Sequence, residues 1–299
     1  MLNKLVLASL NVTPKPIVRM FANTYIAGEN INDAIKVVKK LNTLNCRASI
    51  DLLGEYVSDK EQTIKEMDLR YGVLNAITDN QLDANQSIKL TSLGLDIDEE
   101  FCFENTLEIV KRAKDKGIFI RMDMENSPYH DRTISLYKKL RALGYDNVGV
   151  VIQAYIKRAL EDLQELSELN ASVRLCKGIY VESEKVAFKD FNAVNDNYKK
   201  LLSYIFDKNM YVGIATHDDE LINYAMNEVK KRGLGSKDYE FQMLLGVREQ
   251  RRDEIIKLGH GMRIYVSFGE DWYGYSMRRF KENPKIAGHV FKALFTGGK

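Results

Sequence analysis

Eight short apolar runs recur along the chain, at residues 48–53, 87–93, 118–122, 148–153, 172–175, 211–215, 239–245 and 263–268. The stretches between them carry a 3.6-residue apolar period. This alternation narrows the fold more than any other feature. Neighbouring parallel strands cannot be joined by a tight turn; they need a crossover, most often a helix. Several runs, 148–153 among them, are almost continuously apolar, as strands are when helices cover one face and a packed interior the other. The segment 219–232 shows the helical half of the pattern. Leu221, Ile222, Ala225 and Val229 share one face, and Lys230, Lys231 and Arg232 run into Gly233. Basic residues followed by glycine are a helix stop. Eight such units over about 250 residues predict an α/β fold, a (β/α)8 barrel of TIM type.

The division expected is a helical arm over residues 1–45 and the barrel over 46–299. A doubly wound open sheet is the alternative, but no glycine-rich phosphate loop supports it. With 44 basic and 42 acidic residues the net charge is +2, so no field for nucleic acid is built in. Cys46, Cys102 and Cys176 are odd in number and far apart, which suits a reducing compartment rather than a disulfide scaffold. The four histidines form no metal-ligand spacing, and no metal is expected. Nowhere do about 18 apolar residues follow one another. A cytoplasmic protein is expected, with peripheral contact at the inner face of a membrane left open.

Polar residues punctuate these runs. Lys89 falls in the second, Asp123 and Glu125 follow the third, and Gln153 ends the fourth. Arg174, Lys177 and Tyr180 accompany the fifth, Thr216, His217 and Asp218 the sixth, Gln242 the seventh and Tyr265 the eighth. A (β/α)8 barrel gathers its active site at the carboxyl ends of its strands, so these residues are candidates for one site. Plainer roles stand beside that one. Lys89 could bridge to Asp123 as a buried pair, His217 or Asp218 could cap the next helix, Trp272 and Tyr273 could pack beneath a loop, and Glu55 could be a turn carboxylate.

After the eighth run, Tyr275, Arg278, Arg279 and Glu282 fall at i, i+3, i+4 and i+7, one stripe of a helix. Paired guanidinium forks suit a small carboxylate. The same stripe would also serve as a solvated face.

Taken in chain order, Asp51-Leu52-Leu53-Gly54-Glu55, Ser87-Ile88-Lys89-Leu90, Arg121-Met122-Asp123-Met124-Glu125, Val151-Ile152-Gln153-Ala154-Tyr155, Arg174-Leu175-Cys176-Lys177-Gly178-Ile179-Tyr180, Ala215-Thr216-His217 and Tyr275-Ser276-Met277-Arg278-Arg279 resemble the motifs of the proline dehydrogenases, specifically the small monofunctional bacterial kind. The resemblance covers the chain from about Ala48 onward. It implies a distorted (β/α)8 barrel holding noncovalent FAD, oxidation of L-proline to Δ1-pyrroline-5-carboxylate as the first step of proline catabolism, and electrons passed to a membrane quinone. Pyrroline-5-carboxylate dehydrogenase is a partner it suggests.

Residue by residue, the resemblance implies that Arg278 and Arg279 clamp the proline carboxylate, and that Lys89 and Asp123 lie beside the bound amino acid. Tyr180, Tyr265 and Tyr275 would wall in its ring. Gln153, Arg174, Lys177 and Gly178 would contact the flavin, its ribityl chain or its phosphates, Thr216 and His217 the adenosine half, and Glu282 the cofactor too. Glu55 would pair with Arg278 as a movable gate. Ser267 stands where the resemblance leads one to expect proline, with a looser turn as the expected result.

Two other classes remain open on the residues alone. A class I aldolase would form a Schiff base on Lys89 or Lys177 if burial lowered its pKa. A non-catalytic amino-acid-binding barrel would show no turnover.

Overall fold

The computed structural model describes residues 15–282. Two helices, α1 (Lys15–Tyr25) and α2 (Ile31–Thr43), precede β1 (Cys46–Leu52). Strand and helix then alternate through α3 (Lys60–Asp79), β2 (Ala84–Ile88), a 3-10 turn (Leu90–Leu93), α4 (Glu99–Asp115), β3 (Ile120–Met122), α5 (Ser127–Ala142), β4 (Val148–Gln153) and α6 (Ala159–Ser167). The second half runs β5 (Val173–Cys176), α7 (Phe191–Asp207), β6 (Val212–Ala215), α8 (Asp219–Arg232), β7 (Tyr239–Leu244), α9 (Glu249–Lys257), β8 (Met262–Phe268) and α10 (Trp272–Glu282). The strands pair in sequence order, all in parallel, and β8 returns to β1 to close the barrel. That seam runs in register from Cys46 opposite Met262 to Leu52 opposite Phe268.

Local chemistry explains the elements. Asn30 caps α2 by accepting the Asp33 N–H, and the helix buries Ala34, Val38 and Leu41 as it packs across both β1 and β8. Each such apolar side chain taken out of water is worth roughly 1.5–3 kcal/mol for the larger ones. Helix α8 buries Leu221, Ile222, Ala225 and Val229, the face read from the sequence, and Gly233 ends it with φ 64°. Asp218 supplies its N-cap, accepting the Glu220 N–H.

The second run is the one the sequence misplaces. The strand covers Ala84–Ile88, and the apolar Leu90–Leu93 that suggested its continuation form a 3-10 turn closed by Gly94 at φ 96°. Asn85, Gln86 and Ser87 carry no apolar signal because the fold buries them as polar groups. Lys89 therefore follows β2 rather than lying within it.

The barrel interior is polar along much of its height. Near its base Glu240 accepts hydrogen bonds from Arg263 Nε at 2.5 Å, Arg47 Nη1 at 3.3 Å and Gln242 Nε2 at 2.7 Å. Gln242 in turn accepts from Arg174 Nε at 2.6 Å. Gly213 makes room for this column, since a Cβ there would lie 2.3 Å from Gln242 Nε2. Buried charges demand partners, and this column supplies them strand by strand. It accounts for two of the polar residues that interrupt the apolar runs, Arg174 and Gln242.

Candidate active site

A cavity of about 410 Å³ opens at the carboxyl ends of the strands, bounded by the ends of β2 to β8, the loop after β1 and Tyr275 on α10. Its size is that of a ligand pocket. Its floor is a compact charged cluster. Lys89 Nζ lies 2.6 Å from Asp51 Oδ1, 3.5 Å from the Tyr265 hydroxyl and 3.9 Å from Asp123 Oδ2. Asp123 accepts Arg174 Nη1 on Oδ1 and the Tyr265 hydroxyl on Oδ2, both at 2.6 Å. Arg174 donates further to Ser49 Oγ at 3.1 Å and Ser87 Oγ at 3.3 Å, and its guanidinium lies 5.1 Å from the Tyr265 ring centre.

Two cations and two carboxylates thus interlock. Burial works against the charge on Lys89, yet the carboxylates of Asp51 and Asp123 hold its pKa above the usual lysine value. Burial and then the Asp123 carboxylate push the Tyr265 phenol well up, so it stays protonated and donates.

The other end of the cavity is less charged. Gln153 Nε2 donates to the Met124 carbonyl at 3.1 Å. Lys177 Nζ pairs with Asp218 Oδ2 at 2.6 Å and sits 4.1 Å from the Phe191 ring centre. Gly178 takes φ 101°, and a Cβ there would lie 2.1 Å from the Tyr155 ring; only glycine fits. Thr216 Oγ1 accepts the Asp218 N–H at 3.2 Å. His217 Nε2 accepts the Leu244 N–H at 3.0 Å, so His217 braces β7 rather than capping α8. Burial, helped by Arg248, lowers His217 to about 4, which keeps the ring neutral near pH 7.

Lys89, Asp123, Gln153, Arg174, Lys177, Gly178, Thr216, His217, Tyr265 and Tyr275 all line this one cavity, with Tyr180 and Glu55 at the same wall. The helix predicted after β8 is present as α10, but the side chains of Arg278, Arg279 and Glu282 lie outside the described residues, so the carboxylate clamp, the Glu282 contact and the Glu55–Arg278 gate do as well. Trp272 and Tyr273 pack under α1, where Arg19 lies 4.6 Å over the indole and Lys15 5.4 Å over the phenol ring.

Two sequence readings change. The nearest partner of Lys89 is Asp51, with Asp123 further away; in the sequence Asp51 is only the first residue of a motif, with no role attached. Ser267 lies within β8 and not in a turn, so no turn is loosened there; its hydroxyl donates to Asp51 Oδ2 at 3.2 Å. Ser49, Ser87 and Gln242, which hold Arg174, were not singled out for that role. Small hydroxyl and amide side chains in strands give no signal that distinguishes an orienting group from a filler.

A sequence profile described as proline dehydrogenase matches residues 34–292. Proline dehydrogenase 2 of Bacillus subtilis is 37% identical over 276 residues, spanning 92% of this chain and 91% of that one. Proline dehydrogenase of Deinococcus radiodurans is 32% identical over 280 residues, spanning 92% and 90%. Among solved structures, proline utilization A of Bdellovibrio bacteriovorus, inactivated by N-propargylglycine, superposes with a TM-score of 0.83 at 21% identity. That match covers 94% of this chain and 34% of the longer protein, and at such identity it speaks for the fold alone. With the profile spanning most of its length and relatives of similar length above 30% identity, the chain belongs to the proline dehydrogenase family.

Proposed function

We propose that the chain oxidises L-proline to Δ1-pyrroline-5-carboxylate with noncovalently held FAD and delivers the electrons to a membrane quinone. Family membership makes it an oxidoreductase acting on proline. The finer reading rests on one observation: the Lys89–Asp51–Asp123–Arg174–Tyr265 cluster forms the floor of an otherwise largely apolar cavity at the barrel mouth.

The residues present fit a flavin. Met124, Val151, Met243 and Leu244 offer apolar walls to a flat ring system, Lys89, Arg174 and Lys177 offer cations, and Gly178, packed against the Tyr155 ring, brings backbone to the same wall. Gln153, Arg174, Lys177, Gly178, Thr216, His217 and Glu282 would hold the cofactor. When bound, FAD supplies the acceptor of two electrons and a proton's worth of hydrogen as hydride.

The chain supplies the rest. Arg278 and Arg279 bind the proline carboxylate as a paired fork. Asp123, held on one oxygen by Arg174 and on the other by Tyr265, sets fixed negative charge beside the substrate nitrogen. Tyr180, Tyr265 and Tyr275 enclose the ring and keep water from it, which strengthens every charge interaction inside. Because the floor is already hydrogen-bonded, little reorganisation accompanies reaction.

A Schiff-base lyase needs an amine that is neutral near pH 7. Lys89, held charged between two carboxylates, has the opposite disposition. The quinone, peripheral contact with a membrane and a link to pyrroline-5-carboxylate dehydrogenase complete the proposal. Among the described residues no helix is long and apolar enough to cross a membrane.

The test is the visible spectrum. The purified protein is expected to be yellow and to lose its flavin bands when L-proline is added without oxygen or acceptor. A colourless protein that also fails to take up FAD overturns the reading.

A further inference from the structure

The loop between β1 and α3 brings Glu55 to the cavity wall, and two successive amides of that loop end on one residue. Tyr56 N donates to Thr91 Oγ1 at 3.1 Å, and Val57 N donates to the Thr91 carbonyl at 3.0 Å. Tyr56 itself holds φ 57°, a left-handed conformation that a bulky side chain seldom takes unaided. Thr91 is clamped from its far side. Its N–H donates to Glu125 Oε2 at 3.1 Å and its hydroxyl to Glu125 Oε1 at 2.5 Å. Thr91 and Glu125 are both buried.

A hydroxyl has one proton to give and lone pairs to receive. Here the proton goes to Glu125 and a lone pair receives the Tyr56 N–H, so the hydroxyl joins the loop after β1 to the carboxylate after β3. Thr91 stands two residues after Lys89, on the 3-10 turn that Lys89 leads into, and Ser92 Oγ ties that turn back to the Lys89 carbonyl at 2.6 Å. The turn thus links the charged floor of the cavity to its rim.

We propose that Thr91 is a positioning residue, whose hydroxyl relays between Glu125 and the Tyr56 amide and so sets where Glu55 stands over the site. Its catalytic consequence rests on the proline-oxidising reading, whereas the relay itself does not.

The experiment is hydrogen exchange, followed by mass spectrometry, of peptides covering residues 53–58 in the holoprotein, comparing the wild type with Thr91→Val, Thr91→Ala and Thr91→Ser. Loss of the hydroxyl is expected to speed exchange at Tyr56 by about threefold to tenfold in the valine and alanine variants, while serine, which keeps it, matches the wild type. In parallel, KM for L-proline rises by about threefold or more in valine and alanine with kcat changed less, and serine restores it. Unchanged exchange in both hydroxyl-free variants overturns the relay, and so does a serine variant that behaves like alanine, which would assign the effect to the methyl group. A wild type that does not oxidise proline refutes the functional reading, and the exchange data still decide the relay. Alanine serves where the valine variant does not fold.

Discussion

Ser267 and Asp51 stand opposite each other across the seam that closes the barrel, and the serine hydroxyl donates to Asp51 Oδ2 at 3.2 Å. The other oxygen of Asp51 holds Lys89 at 2.6 Å. The seam between the first and last strands therefore orients the lysine on the cavity floor. Asp51→Asn keeps the shape and removes the charge. Hydrogen bonds to charged groups contribute about 1.5–3 kcal/mol, so turnover of L-proline is expected to fall about tenfold to a hundredfold. Ser267→Ala, which leaves the ion pair intact, is expected to cost less. Steady-state kinetics on both variants decides it; an Asp51→Asn enzyme as fast as the wild type removes Lys89 orientation from the account.

Arg174 joins four side chains, those of Ser49, Ser87, Asp123 and Gln242. Arg174→Ala leaves the Asp123 carboxylate buried without its closest cation, a change that costs about 3–5 kcal/mol when a buried pair is broken. A urea denaturation midpoint lowered to match is the expected outcome. Tyr265→Phe keeps the ring over Arg174 and removes two hydrogen bonds, the one to Asp123 and the one from Lys89, so it is expected to alter turnover while leaving the flavin-to-protein ratio nearly unchanged.

Glu125 gives the protein a pH-dependent weakness. Burial pushes its carboxyl up to about 7 from an ordinary 4.5, against the pull of the Thr91 hydroxyl and amide. A carboxyl raised on folding contributes stability that is complete below about pH 4.5 and is lost as pH climbs through about 7. The amount is of order 3 kcal/mol at most. Between about pH 4.5 and about pH 7, the window this shift spans, the wild type should therefore lose stability relative to Glu125→Gln. Parallel curves for the two proteins would show that Glu125 titrates normally.

The arginine pair of α10 makes the most specific prediction about substrate. If Arg278 and Arg279 hold the carboxylate, Arg279→Met raises KM for L-proline about tenfold to a hundredfold, and Arg278→Lys is also costly because an ammonium cannot reproduce a two-pronged fork. Tetrahydro-2-furoate, a five-membered ring bearing a carboxylate, should lose affinity in parallel, as read by flavin absorbance. Undiminished binding in either variant returns that residue to a solvated helix face.

Much of this was legible in the residues. The apolar runs gave the number and order of the eight strands, and α8 came out with the predicted buried face and stop. The second strand slipped because Leu90 and Leu93 are core residues on a turn while Asn85 and Gln86 are buried polar groups in a strand. Periodicity reports burial of carbon, and it fails where a barrel interior is built from charge. The same physics hid the role of Asp51, which the motif contained but whose partners Lys89 and Ser267 only the fold brings to either side of it. Thr91 was invisible for a different reason. Its importance lies in two backbone amides that reach it from another loop, and no side-chain pattern records those.

The closing seam also determines when during synthesis this molecule becomes functional. Asp51 and Ser267 are 216 residues apart in the chain, so β1 emerges from the ribosome long before the strand that will flank it. Pairing across such sequence separation is slow, and the face of α2 that rests on both β1 and β8 stays half-covered until the last strand docks. In that interval an open strand edge is exposed, the kind of surface on which nascent chains stick to one another. The floor cannot be assembled in advance either, because Tyr265 travels on the strand that arrives last. A chain cut short before Met262 would lack that strand altogether; its expected fate is aggregation rather than partial activity.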